Sequence, residues 1–80
     1  MAKNKEERRE IYKVQLKERR NGFLRITVKE IECRTLGEAM LRWEELVLEN
    51  ERHGVTLNKI VELQYYDLNG RCSTLKEKHI

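Results

Sequence analysis

Apolar and polar residues alternate through Tyr12, Val14 and Leu16, against Lys13, Gln15 and Lys17, and again through Leu24, Ile26 and Val28. A period of two is that of a half-buried strand. Between the runs stands Arg20-Asn21-Gly22, and the length of the joining loop decides which face each side chain takes. A two-residue Asn-Gly turn opposes Leu16 to Thr27 and throws the two apolar sets onto opposite faces. An odd loop keeps them together, with either three residues closed by Gly22 or five, which pairs Leu16 with Leu24 and Val14 with Ile26. Glu30 then interrupts the alternation while Ile31 and Cys33 continue in the other phase, so a bulge is expected near Lys29 and Glu30. A helix over residues 4–20 competes, since Asn4-Lys5-Glu6-Glu7 has the form of a capping box and Gly22 could end it. Ile11, Tyr12, Val14 and Leu16 would spread round its wheel without forming a stripe, and the strand is preferred.

Thr35-Leu36-Gly37-Glu38 is a second capping box, in which the Thr35 hydroxyl accepts from the Glu38 amide and the Glu38 side chain reaches back. A helix is predicted from Leu36 to about residue 53, with Gly54 as its left-handed C-terminal stop. Leu36, Ala39, Met40, Trp43, Leu46 and Val47 recur at three and four and make one stripe. Beyond it Val61, Leu63 and Tyr65 alternate with Glu62 and Gln64, and Asp67-Leu68-Asn69-Gly70 reads as a three-residue hairpin loop ending in glycine. That loop opposes Tyr65 to Ser73 and Leu63 to Leu75. The two turns, Arg-Asn-Gly and Leu-Asn-Gly, echo one another. The predicted fold class is α+β, ββαββ: a four-stranded, mostly antiparallel sheet with one helix packed on one face. The face away from the helix is expected to carry Lys13, Lys17, Arg25, Lys29, Glu62 and Gln64, with Ile11, Phe23, Ile60 and Tyr66 as apolar islands.

Proline is absent and no Gly/Ser-rich linker interrupts the chain, so residues 11–80 read as a single domain behind a charged arm, residues 1–10. Eighty residues make a thin core, which a partner subunit would help to stabilise. The longest aliphatic run, Leu46-Val47-Leu48, is far short of the roughly 20 residues that span a bilayer. A charged start without an apolar leader, and two widely spaced cysteines, predict a cytoplasmic, reducing setting. The net charge of +3 hides a gradient that says more about partners. Residues 1–25 hold nine Lys/Arg against four Glu, residues 26–57 hold four against seven, and the remainder four against three Asp/Glu. The chain is electrically bipolar, which suits docking to a protein as readily as to a polyanion.

Four sets of residues are candidates for function. Leu41 and Leu48, seven apart, lie well away from the Trp43 stripe, so either the helix is sunk deeply between strands or these two leucines, rimmed by Glu44 and Glu51, form a dimer or partner interface. Arg8, Arg9, Lys13, Lys17, Arg19, Arg20 and Arg25 could grip phosphates, with Phe23 stacking on a base. Over Arg20-Asn21-Gly22-Phe23-Leu24-Arg25-Ile26 the chain faintly resembles the Lys/Arg-Gly-Phe strand of the RNA-recognition motif, but that family stacks bases on several aromatics in two strands and needs two helices, whereas this segment has one aromatic and the chain one clear helix, so the match is rejected. Arg25, Tyr65 and Tyr66 could line a small-ligand pocket at a dimer interface. Cys33, His53, Cys72 and His79 make a numerically complete zinc set without the close pairing structural zinc needs, so no metal is expected. Cys33 and Cys72 read better as small buried hydrophobes, and His53 as a helix cap. With one serine and neither a phosphate loop nor a His-Glu-Xaa-Xaa-His element, no catalytic residue and no cofactor are expected. The leading expectation is a non-enzymatic protein-binding or regulatory module, a homodimer, of the inhibitor or accessory-subunit type that phages also encode. Nucleic-acid binding and small-ligand binding rank after it.

Overall fold

The computed structural model describes residues 9–20, 24–54 and 58–80. Four strands and one helix succeed one another as β1 (Ile11–Arg20), β2 (Leu24–Cys33), α1 (Leu36–Arg52), β3 (Lys59–Tyr66) and β4 (Cys72–His79). They form one sheet in the order β2-β1-β3-β4, and every neighbouring pair is antiparallel. Because β2 and β3 are both antiparallel to β1, they run parallel to each other on either side of it. Parallel strands need a crossover of about a dozen residues or more, and α1 provides it. This is the ββαββ arrangement the periodicities predict.

Thr35 caps α1, its hydroxyl accepting from the Glu38 amide at 3.2 Å, and the helix stops where Gly54 takes φ +98°. Ala39, Leu46 and Val47 are buried against Val14 and Leu16 of β1, Val61 and Leu63 of β3, Cys33 and Ile80, with Tyr12, Ile31, Met40 and Trp43 packed round them. Two polar groups are tied into this layer. Trp43 Nε1 donates to the Val61 carbonyl at 3.0 Å, and the buried Asn50 donates to the Leu46 carbonyl at 2.8 Å while accepting from Lys59 Nζ at 3.5 Å. Each satisfies a donor that burial would otherwise leave costly. Leu36, expected in the stripe, is instead exposed at the helix start.

The first hairpin pairs Arg20 with Leu24, leaving three residues between them, so the loop is odd as expected. Its register differs from both expected pairings: Glu18 opposes Ile26, and Val14 opposes Ile31. The bulge lies one residue before its predicted place. Lys17 faces Thr27 and Leu16 faces Lys29, so Val28 has no partner. One extra residue shifts the rest of β2 to the other phase, and Lys29 therefore sits on the helix side and not on the open face. In the second hairpin Tyr65 opposes Ser73 as expected, but Leu63 opposes Lys76, because Leu75 is skipped in the same way. Asp67 Oδ1 accepts from the amides of Asn69 and Arg71 at 2.8 and 2.9 Å, and Gly70 closes the turn at φ +82°.

The hairpins superpose in sequence at an offset of 47. Arg20 and Asp67 precede the two loops, Val28 and Leu75 are the skipped residues, and Tyr12 and Lys59 face Cys33 and Ile80 at the far ends. At this offset Val14 matches Val61, Leu16 matches Leu63, and Thr27-Val28-Lys29-Glu30 matches Thr74-Leu75-Lys76-Glu77. The β1–β3 pairing puts Gln15 opposite Glu62, also 47 apart, so a pseudo-twofold axis passes between them. The echo between Arg-Asn-Gly and Leu-Asn-Gly is thus real but misplaced by one residue. Each edge strand carries a bulge, which disrupts the row of unpaired backbone groups through which sheets otherwise add further strands.

Candidate functional site

The sheet has one face under α1 and one open face, and the candidate residues divide between the open face and the outer side of the helix. Leu41 and Leu48 are 53% and 59% exposed. The helix is therefore not sunk between strands; it lies on the sheet and turns these two leucines to solvent, two turns apart along one line. Glu44 and Glu51 are exposed beside them, as are Glu38, Glu45 and Glu49, against only Arg42 and Arg52. Arg42 is already paired with Glu45 at 3.1 Å. The outer side of α1 is acidic with two apolar anchors.

On the open face most charges are matched. Lys13 pairs with Glu30 at 3.2 Å, and the hydrogen bond to that carboxylate, against some desolvation, raises the lysine above its ordinary range. Lys13 also lies 4.8 Å above the Tyr66 ring. Glu62 is buried in the centre of the face, held by Lys17 at 3.1 Å and by the Gln64 amide at 3.2 Å. The Tyr66 hydroxyl donates to Gln64 at 3.2 Å, and the neighbouring Cys72 thiol raises its pKa. Cys72 is exposed, not buried as expected; burial and a raised pKa belong to Cys33, whose thiol desolvation pushes up. Ile60, expected as an exposed island, is 5% exposed.

At the loop end of the first hairpin this matching stops. Arg19 and Arg25 face each other directly across β1 and β2, and neither has an ion-pair partner among the described residues. Lys17 lies two residues back along β1, and His79 of β4 opposes Ile60 of β3. Together with Asn58 these residues enclose a small pit of about 10 Å³, room for about one water-sized sphere. Of the eight residues proposed for nucleic-acid contacts, the fold brings together Lys17, Arg19 and Arg25. Lys13 stands further along the same face, and Arg9 beside it lines an open depression with Ile11, Tyr66 and Leu68. Arg8, Phe23 and the Arg20 side chain lie outside the described residues. Sequence reading missed His79 as a neighbour of this group, since only the β3–β4 register brings it there.

Within one chain the ligand set does not come together. Tyr65 pairs with Tyr12 on the helix face, Tyr66 with Ile11 on the open face, and Arg25 sits at the opposite end of the sheet. Tyr65 has a different attachment: its hydroxyl donates to Glu10 at 2.6 Å, which holds the phenol up at about 12, and its ring lies 5.2 Å from that of Tyr12. Of the zinc set, Cys33 is buried, His53 is the C-cap of α1, and His79 contacts Glu77 at 2.9 Å. Among the described residues no three His, Cys, Asp or Glu side chains come together in a way that could hold a metal. No helix among them is long and apolar enough to cross a membrane. Comparison with protein-family models, with curated proteins and with solved structures finds no match to this chain.

Proposed function

We propose that this chain is a small protein-binding module, that its working surface is the outer side of α1, and that its partner offers an apolar groove with a basic rim. The observation that carries this reading is the exposure of Leu41 and Leu48 on one line of a helix whose other outward residues are mainly carboxylates. Two leucines at i and i+7 are the spacing by which a helix lies in a groove, and the surrounding charge selects a cationic rim. Occupying a partner's surface, as an inhibitor or accessory subunit does, is the mode of action this implies.

The same charge pattern argues against two copies pairing through this face. An antiparallel pair that set Leu41 on Leu48 of a second copy would bring Glu44 of each beside Glu45 of the other, and like charges in contact weaken an interface. The test uses Leu48→Arg and Leu41→Arg. Both positions are solvent-exposed, so each variant should keep the native melting temperature within about 0.5 kcal/mol of stability. Both should lose a basic protein captured by the native chain. Capture unaffected by either change would overturn the reading, and a dimer in sedimentation that Leu48→Arg dissociates would replace it with self-association.

A further inference from the structure

We infer that the pit walled by Lys17, Arg19, Arg25 and His79 is a binding site for an oxyanion of the phosphate class. Two like charges are set opposite one another in its lining. Arg19 and Arg25 are directly opposite in an antiparallel pair, where side chains stand about 4.5–5.5 Å apart and like charges destabilise. The fold does not require this. Forty-seven residues on, the equivalent positions are Tyr66 and Cys72, again directly opposite, and there neither side chain brings a like charge against the other and the Tyr66 hydroxyl donates to Gln64. One sheet thus fills the same position twice, once with a tyrosine and a cysteine and once with two guanidiniums lacking a counter-charge among the described residues.

The surroundings shape this excess positive charge into a site. The nearly buried Ile60 lines the pit with them, and two of the walls have contacts of their own: Lys17 is held by Glu62 and His79 by Glu77. Glu62 balances the charge of Lys17, so the guanidiniums of Arg19 and Arg25 supply the attraction. A pit of about 10 Å³ admits a single oxygen atom. A tetrahedral oxyanion can seat one oxygen there and leave the others to the forked N–H groups of the two arginines, which suit such oxygens in bidentate fashion. The ion can be free phosphate or a phosphate of a nucleic-acid backbone. The site is on the sheet face opposite α1 and is independent of the protein-binding surface.

The test is a titration of the full ¹⁵N-labelled chain with inorganic phosphate, following the arginine Nε–Hε signals and, in native chain and variants alike, the backbone amides of residues 17, 19, 25, 60 and 79, beside a chloride control at equal ionic strength. Saturable shifts at Arg19 and Arg25 in phosphate, absent in chloride and abolished in R19Q/R25Q, are expected. Equal shifts in chloride, or native-like titration of R19Q/R25Q, would overturn the site. A second arm uses single-stranded dT12. Binding at least ten-fold tighter than inorganic phosphate, with a log-log salt slope about 1.4 smaller in R19Q/R25Q, assigns the anion to a nucleic-acid backbone; equal affinity assigns it to the free ion. Removing the opposed charges should raise the melting temperature, so the double variant should fold. Arg25→Gln alone, with about five-fold weaker phosphate binding, gives the same answer should it not.

Discussion

The hairpin β1–β2 and the hairpin β3–β4 agree in the residues of β1 and β3 buried under α1 and in their bulge segments, and differ over most of the open face. Buried Val14 and Leu16 repeat as Val61 and Leu63, and the bulge segment Thr-Val-Lys-Glu repeats as Thr-Leu-Lys-Glu. On the helix face, however, Ile31 corresponds to Lys78 and Ile26 to Ser73, so β2 is the more apolar edge. On the open face the arginine pair corresponds to Tyr66 and Cys72. The single helix also breaks the symmetry, because Trp43 bonds the Val61 carbonyl and carries Lys76 4.6 Å above its ring, while the equivalent Lys29 lines a groove with Arg42, Glu45 and Glu49. The four aliphatic residues of β1 and β3 under α1 are thus held to similar volumes and the two bulge segments to similar residues, whereas the open face differs even where it is buried, as at Ile60 and Glu62 against Lys13 and Gln15.

Substitutions at equivalent positions measure how far this equivalence extends. Leu16→Ala and Leu63→Ala should each cost about 2–5 kcal/mol, a large share of the about 4–12 kcal/mol expected for a chain of this length. Leu63, wholly buried, should be the costlier in urea unfolding; a negligible loss at either position would show that the two hairpins do not share one core. A smaller effect tests where the symmetry breaks. Trp43→Phe removes the donor to Val61 and should cost about 1 kcal/mol. Lys76→Gln should cost about 0.5 kcal/mol by loss of the ring contact and Lys29→Gln almost nothing, with equal losses erasing the distinction. The smallest effect concerns Tyr65, whose counterpart is Glu18. Its phenol is raised from 10 to about 12 by Glu10. A raised pKa contributes stability that is complete below pH 10 and lost as pH rises through 12. Glu10→Gln should therefore move one tyrosinate transition at 295 nm to lower pH.

Local chemistry made much of this fold readable. The Thr35 cap and the Gly54 stop mark α1 because a helix end exposes unpaired amides and carbonyls that only certain residues satisfy. The parity of the first loop followed from keeping Leu16 and Ile26 on one face. The register itself did not, and the assignment of Lys29 to the open face failed with it, because a bulge one residue earlier inverts every side chain beyond it. The outward position of Leu41 and Leu48 was legible as an angle on the helix, but its meaning depended on whether strands enclosed that side. The pit was only half legible: Lys17, Arg19 and Arg25 were noted as charges, and nothing in their spacing pointed to His79 or Ile60 as fellow lining residues.

Periodicity, caps and turn residues act over a few positions, and over that range the amino-acid order alone specified four strands, one helix and their sequence. The order β2-β1-β3-β4, the central place of β1 and β3, and the grouping of side chains from β1, β2, β3 and β4 around one pit were decided by the folded chain. Pairing between distant strands rests on the joint burial of Val14, Leu16, Val61 and Leu63 under α1. No local pattern encodes that, since each strand taken singly could pair with any of the others.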